Sequence, residues 1–72
     1  MDISERKMKL GQRIRNEREA QDISLRRFAL MIGVGHTYLV DVENGRRNIG
    51  IENLCKIADG LGVKVSELTD EL

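Results

Sequence analysis

The most regular hydrophobic pattern in this chain lies between residues 25 and 42. Leu39 and Val42 are spaced as on one face of a helix, and so is an apolar group that precedes them. One continuous helix would point the two groups in different directions, so the chain must turn between them. Gly33 favours that turn because glycine adopts positive φ at little cost. The preceding group has the spacing i, i+3, i+4, i+7 and consists of Leu25, Phe28, Ala29 and Ile32.

Helical spacing elsewhere predicts an all-α chain. Proline is absent and there is only one Phe and one Tyr, which favours helices over a β-sandwich or barrel. Ser24 is a suitable N-cap for the second helix, and the Asn44-Gly45 pair is suited to end the third. Residues 1–8 are polar, and we expect them to be frayed at the start. The predicted helices span residues 5–21, 25–32, 36–44, 51–61 and 65–68 or beyond.

Two further apolar faces complete the predicted core. In the first helix, Leu10 and Ile14 form an inward stripe that Met8 extends, and Gly11 allows another helix to approach closely. We expect one domain over residues 1–72, with its core at about 8–69. The inward face predicted for the fourth helix consists of Ile51, Leu54, Ile57, Ala58 and Leu61.

Two short helices joined by a glycine turn over a shared core form a helix-turn-helix, here over residues 25–43. This stretch resembles the phage Cro/repressor-type family, also called XRE-type regulators. The resemblance extends to LGQRIRNER before the motif, VENGRRN after it and LCKIADGLGVKVSEL near the end. It implies a five-helix lambda-repressor-like domain that binds operator DNA as a sequence-specific transcriptional regulator. It also implies a homodimer, and it leaves open whether the chain is a phage repressor, an antitoxin or a restriction–modification controller.

The outer face of the third helix is the predicted DNA-reading surface. At ~100° per residue, its outward residues fall within about 140° of one another, away from the core positions. Histidine and threonine can form hydrogen bonds with base edges in the major groove, and valine can meet a thymine methyl group. The predicted base-contacting residues are His36, Thr37, Val40 and Asp41.

Two residues of this helix allow more than one interpretation. Phosphates repel an aspartate in the groove, so Asp41 either accepts a hydrogen bond from a cytosine amino group, bonds to a nearby arginine, or faces water. Tyr38 lies at the boundary of the outward face. It either packs as a half-buried residue or touches a phosphate through its hydroxyl.

Phosphate contacts are predicted in the loop that follows the third helix. Arg46 and Arg47 are suited to phosphates, together with Asn44 and the backbone amides of the Asn44-Gly45 pair. The alternative is that these arginines are ordinary solvated surface residues.

The resemblance also concerns the start of the second helix and one ion pair. Members of the family commonly begin this helix with a glutamine that reaches DNA, whereas this chain has Leu25. The backbone N–H groups of that helix start can still face a phosphate, and Arg26 and Arg27 can compensate for the lost amide. The family also commonly pairs an arginine with a glutamate at the positions of Arg18 and Glu43.

The charge balance is unusual for a DNA-binding protein, because 12 basic residues face 12 acidic ones. The distribution is uneven: residues 1–57 contain 11 basic and 8 acidic residues, and residues 58–72 contain one lysine and four acidic residues. We therefore expect modest non-specific affinity for double-stranded DNA rather than no binding.

Catalysis and cofactor binding have little support in the sequence. A single histidine makes a histidine-based metal site or triad improbable, and no glycine-rich phosphate loop of the Walker type is present. The single cysteine, Cys55, excludes an internal disulfide and fits a reducing cytosol. No apolar run suggests a membrane span or a signal peptide, so we expect a cytoplasmic protein that is not an enzyme and has no cofactor, metal or small-molecule ligand.

A second class of function remains open, namely a protein-interaction module that has kept the fold and binds DNA weakly or not at all. Leu25, Asp41 and the zero net charge favour this alternative. In either case, the apolar residues near the C-terminus exceed what one short helix can bury. They predict a dimer interface at Val63, Val65, Leu68 and neighbouring parts of the fourth and fifth helices.

Overall fold

Five α-helices make up the regular secondary structure, as predicted. The computed structural model describes residues 1–72 and contains no strand. The second and fourth helices have the predicted bounds, whereas the first begins two residues earlier and the third ends one residue earlier. None of the helices combines the length and apolar character that crossing a bilayer requires. The helices are α1 Ile3–Ala20, α2 Leu25–Ile32, α3 His36–Glu43, α4 Ile51–Leu61 and α5 Val65–Thr69.

The beginning of α1 differs from the prediction in two ways. The segment is helical rather than frayed, because the Asp2 carboxylate caps the helix by accepting a hydrogen bond from the backbone N–H of Glu5 at 2.8 Å. The inward assignment of Met8 is wrong, since its side chain is 61% exposed. The backbone of Met8 packs closely on Gly45: a Cβ atom added to Gly45 would lie 2.9 Å from the Met8 Cα. The first turns of α1 therefore cover the loop after α3 instead of the core.

The turn between α2 and α3 has the predicted geometry. Ser24 Oγ accepts a hydrogen bond from the backbone N–H of Arg27 at 3.1 Å and caps α2. At the other end, Gly33 has φ 73°, and the Val34 N–H donates to the carbonyl oxygen of Ala29 at 3.1 Å. The left-handed residue ends α2 and redirects the chain into α3.

The hydrophobic core is assembled from all five helices. The inward assignment of Ile51 is wrong, because its side chain is 72% exposed. Its spacing fits the inward stripe of α4, but the stripe continues past the edge of the core at the first turn of the helix. The buried hydrophobic residues are Ile14, Phe28, Ala29, Leu39, Val42, Ile57, Ala58, Leu61 and Leu68.

Two side chains, one within α1 and one at its C-cap, form hydrogen bonds with the C-terminal helices. Arg13 Nη1 donates to the carbonyl oxygens of Leu68, at 3.1 Å, and Asp70, and Gln21 Nε2 donates to that of Leu61 at 2.7 Å. These bonds satisfy carbonyl groups that a helix end leaves free. Leu68 is 1% exposed within a single chain, so its predicted place in a dimer interface is wrong.

The backbones of α1 and α3 touch at Gly11, which is buried as the sequence predicts. A Cβ at this position would lie 2.6 Å from the carbonyl oxygen of Glu43 and 2.8 Å from its carbonyl carbon. The absence of a side chain therefore allows the last turn of α3 to rest directly on α1.

A buried ion pair fixes the same contact. Arg18 Nε and Nη2 donate to the two carboxylate oxygens of Glu43 at 2.8 and 2.9 Å, and Arg18 Nη1 donates to the carbonyl oxygen of Ile23 at 2.8 Å. The two side chains are only 9% and 4% exposed. One guanidinium thus joins α1, the connection to α2 and the last residue of α3.

The hydrogen bond to Glu43 raises the pKa of the Arg18 guanidinium, against the lowering effect of burial. A pKa raised by folding contributes stability below the unfolded pKa, and this is lost only as the pH rises through the folded pKa. For an arginine that window lies at strongly alkaline pH. Arg18 therefore remains charged, and its contribution is constant around neutrality.

The Gly11→Ala variant tests the backbone contact. Alanine raises helix propensity by about 1 kcal/mol, but the clash is with backbone atoms that cannot turn aside, so we expect a net loss of about 2 kcal/mol or more in the free energy of unfolding. Gly50→Ala is the control, because a Cβ there meets nothing within 4 Å. Urea unfolding should show a loss of less than about 1 kcal/mol for the control, since alanine is a poorer N-cap than glycine. Equal stability of the two variants would contradict the close approach.

The ion pair is tested by removing one partner and then both. Glu43→Ala leaves a buried guanidinium without its carboxylate and should cost roughly 3–5 kcal/mol, whereas a joint Arg18→Met and Glu43→Leu replacement should be less destabilising than the single change. Arg15→Ala removes the exposed pair with Glu19 and should cost under about 1 kcal/mol. Thermal or urea unfolding gives the ranking, and a Glu43→Ala loss no larger than that of Arg15→Ala would contradict the structural role.

Candidate nucleic-acid interface

Helix α3 has one face in solvent and one in the core. His36 and Thr37 are exposed and Val40 is half-buried on the outer face. On the opposite face Leu39 and Val42 are at most 2% exposed. Because the inner face packs against α1 and α2, the helix is held in one orientation and its outer side chains point into solvent.

The start of α2 offers backbone donors rather than a side-chain amide. Leu25 is half-buried and packs against the core, while Arg26 and Arg27 are exposed. The N–H of Arg27 is used by the cap, but the N–H groups of Leu25 and Arg26 form no hydrogen bond within the chain. Two free donors at a helix N-terminus suit an anion such as a phosphate.

The backbone amides after α3 are arranged differently from the prediction. The N–H groups of Asn44, Gly45 and Arg46 donate to carbonyl oxygens of α3, and Asn44 Nδ2 also donates to the carbonyl oxygen of Val40 at 3.0 Å. The predicted Asn44-Gly45 amide patch is therefore occupied by the helix end itself. The next two N–H groups, those of Arg47 and its neighbour Asn48, have no partner within the chain.

The two loop arginines meet on one carboxylate. Asp41 Oδ1 lies 3.7 Å from Arg46 Nη1, and Asp41 Oδ2 lies 3.5 Å from Arg47 Nε. The Asp41 side chain is 24% exposed, whereas those of Arg46 and Arg47 are 67% and 48% exposed. Of the three interpretations left open for Asp41, the structure shows the pairing with nearby arginines.

Arg47 also contacts an aromatic ring. Its guanidinium carbon lies 5.3 Å from the centre of the Tyr38 ring, within cation–π range. The Tyr38 hydroxyl accepts a hydrogen bond from Asn53 Nδ2 at 3.1 Å. Sequence reasoning missed Asn53, which lies on α4 across the loop. Its only signal was an amide side chain in the first turn of α4.

The other chemistry-bearing residues lie apart from this surface. No group of three or more His, Cys, Asp or Glu side chains is placed to hold a metal ion. Cys55 is a half-buried free thiol on α4. Every buried side-chain nitrogen and oxygen atom has a hydrogen-bond partner, so no orphaned polar group marks a further site.

The sequence is similar to known helix-turn-helix proteins over most of its length. Residues 14–68 match the helix-turn-helix family HTH_3. The chain is 39% identical over 67 residues to Control protein C.MunI of Mycoplasma sp, a match that covers 92% of this chain and 90% of that protein. At 92% coverage, the match to Mycoplasma C.MunI includes most of α1 and the loop after α3.

Two solved structures are similar along nearly the whole chain. The restriction-modification controller protein C.AhdI from Aeromonas hydrophila superimposes with a TM-score of 0.82 at 36% identity, covering 85% of this chain and 92% of that one. The DNA-binding domain of BldD superimposes with a TM-score of 0.83 at 30% identity, covering 96% and 99%. The chain belongs to the HTH_3 helix-turn-helix family of XRE-type DNA-binding transcriptional regulators.

Proposed function

We propose that this protein is a sequence-specific regulator of the restriction–modification controller type, which binds operator DNA as a homodimer with α3 in the major groove. The observation that carries the proposal is the division of α3 into a fully packed inner face and an outer face with exposed hydrogen-bonding side chains. The similarity to the controller proteins C.MunI and C.AhdI favours this role over that of a phage repressor or an antitoxin.

Base reading is assigned to three residues on the outer face of α3. His36 and Thr37 can hydrogen-bond to base edges, and Val40 can contact a thymine methyl group. Asp41 is left out of this set, because its carboxylate oxygens lie in ion pairs with Arg46 and Arg47, at 3.7 and 3.5 Å. The remaining three lie on the first two turns of the helix, the part that a helix-turn-helix protein inserts towards the bases.

Phosphate binding is assigned to the two ends of the motif. At the start of α2 the free N–H groups of Leu25 and Arg26 can hold one phosphate, with Arg26 and Arg27 adding charge. After α3, the guanidinium groups of Arg46 and Arg47 bind a second phosphate. Asn44 contributes at most the second hydrogen of its amide, because the first is bonded to Val40.

The alternative function, a protein-interaction module that has lost DNA binding, has less support from the geometry. Asp41 does not place an isolated negative charge on the outer face, since its carboxylate lies between two guanidinium groups. One feature still favours the alternative, since Leu25 lacks the side-chain amide of the glutamine that is common at this position in the family. Binding of the protein to the DNA upstream of its own gene, measured at several salt concentrations, distinguishes the two functions.

A homodimer is proposed through the α4–α5 unit, at a surface that keeps Val63 and Val65 from the predicted interface and leaves out the buried Leu68. Val63 and Val65 are half-buried against the core, and Ile51 is 72% exposed at the start of α4. A shallow apolar groove of about 290 Å³ lies between the first turns of α1 and residues 47–49 and 54. Two-fold pairing would place the recognition helices about 34 Å apart, the spacing of successive major grooves.

The phosphate assignment is tested by salt dependence. If Arg46 and Arg47 each neutralise one phosphate, replacing either with alanine should weaken binding to all DNA sequences similarly. The log–log salt slope should become shallower by roughly one unit per lost contact. Fluorescence anisotropy on operator and unrelated duplexes measures both quantities. An unchanged slope in both variants would return these arginines to the role of solvated surface residues.

The dimer is tested with Ile51→Asp. Aspartate is favourable in the first turn of a helix, so the fold should persist while an apolar contact is replaced by a charge. Sedimentation should show dimers for the native chain and monomers for the variant, and the variant should bind the operator more weakly. Leu30→Asp is the control, since Leu30 is 79% exposed on α2. A native chain that remains monomeric at high micromolar concentration, with and without DNA, would contradict the proposal.

A further inference from the structure

Asp41 and Tyr38 of α3 form one cluster of side chains with the loop arginines Arg46 and Arg47. The carboxylate uses one oxygen for each loop arginine, with Oδ1 towards Arg46 Nη1 and Oδ2 towards Arg47 Nε. The backbone supports the same arrangement, because the Arg46 N–H donates to the carbonyl oxygen of Asp41 at 2.8 Å. Both the main chain and the side chain of one α3 residue therefore hold the beginning of the loop.

Arg47 is held from a second direction. Its guanidinium lies over the Tyr38 ring, and Asn53 on α4 fixes the Tyr38 hydroxyl. The ring is therefore anchored at its far end by another helix, and it forms a platform for Arg47. Arg46 has no comparable support and is the more exposed of the two arginines.

The charges of the cluster do not cancel. One carboxylate faces two guanidinium groups, so the cluster keeps an excess positive charge and remains attractive to phosphate. Each guanidinium has five N–H donors in a planar fork, and the contacts with Asp41 engage one nitrogen of each. The two side chains are 67% and 48% exposed, so each remains partly in solvent, where a phosphate oxygen can reach it.

We propose that Asp41 is a positioning residue for DNA binding: it reads no base, and it orders Arg46 and Arg47 so that both guanidinium groups reach the same stretch of DNA backbone. This inference rests on the proposed function. Long arginine side chains lose conformational freedom on binding, and ordering them beforehand reduces that loss. The role explains how an acidic residue is compatible with a groove-facing helix.

The first test replaces Asp41 with asparagine, which keeps the size of the side chain and removes its charge. A positioning role predicts weaker operator binding by roughly tenfold and a shallower salt slope, although the variant has lost a negative charge. Asp59→Asn is the matched control, because it removes the same charge from an exposed α4 residue that forms no ion pair. The control should bind at least as tightly as the native protein.

A double-mutant cycle identifies the residues through which Asp41 acts. In a background with Arg46→Ala and Arg47→Ala, Asp41→Asn should no longer weaken operator binding, because residues that act through one another are not additive, and the loss of an unpaired negative charge should leave the affinity unchanged or raise it. Two results would overturn the proposal. One is tighter binding of Asp41→Asn to every sequence, which identifies a simple repulsive charge. The other is relaxed preference at one base pair that persists in the arginine-free background, which identifies a base reader.

The free protein provides a measurement that does not depend on DNA. In NMR spectra of the native chain, the Arg47 side-chain Nε–H should show nuclear Overhauser effects to the Tyr38 ring, and Asp41→Asn should abolish them while Asp59→Asn preserves them. Unchanged effects in Asp41→Asn would contradict positioning even if operator binding is weakened. A native protein that shows them but binds no DNA would instead contradict the proposed function.

Discussion

The contact between α1 and the end of α3 is the constraint on which the proposed DNA-binding surface depends. Gly11 brings the two backbones together, and the bidentate Arg18–Glu43 pair fixes their register. Removing two charges from water is costly, so the value of such a pair lies in geometry more than in net stability. Here Glu43 is the last residue of α3, and the pair therefore fixes both the helix that carries the outward residues and the point where the arginine loop begins.

Periodicity and glycine chemistry were sufficient to predict the helices that form the motif. The bounds of α2 and α4 and the left-handed turn at Gly33 follow from local rules, since each depends on residues close in sequence. Met8 and Ile51 were misassigned because helical spacing shows which face a residue shares, and it does not show where the core ends. The position of that edge depends on how the helices are packed, which no local pattern contains.

In the candidate site, too, some features follow from local rules and others depend on how the chain is packed. The outward direction of His36 and Thr37 was predictable from helix geometry, whereas the links from Asp41 to the two arginines and from Asn53 to Tyr38 depend on the path of the loop. The amides of the Asn44-Gly45 turn were misjudged for a related reason, because the closing turn of α3 uses them. A net charge of zero is a poor guide to such a surface, since the local potential depends on how the charged side chains are arranged.

The most direct test is to titrate the ¹⁵N-labelled protein with its operator duplex and map the amide signals that shift. If α3 reads the DNA, the largest changes fall on the first turns of α2 and α3 and on residues 44–48, with smaller changes at the start of α4 if a dimer forms. Changes centred on the first turns of α1 or on α5, with α3 and the arginine loop unaffected, would contradict the claim that α3 is the DNA-reading helix.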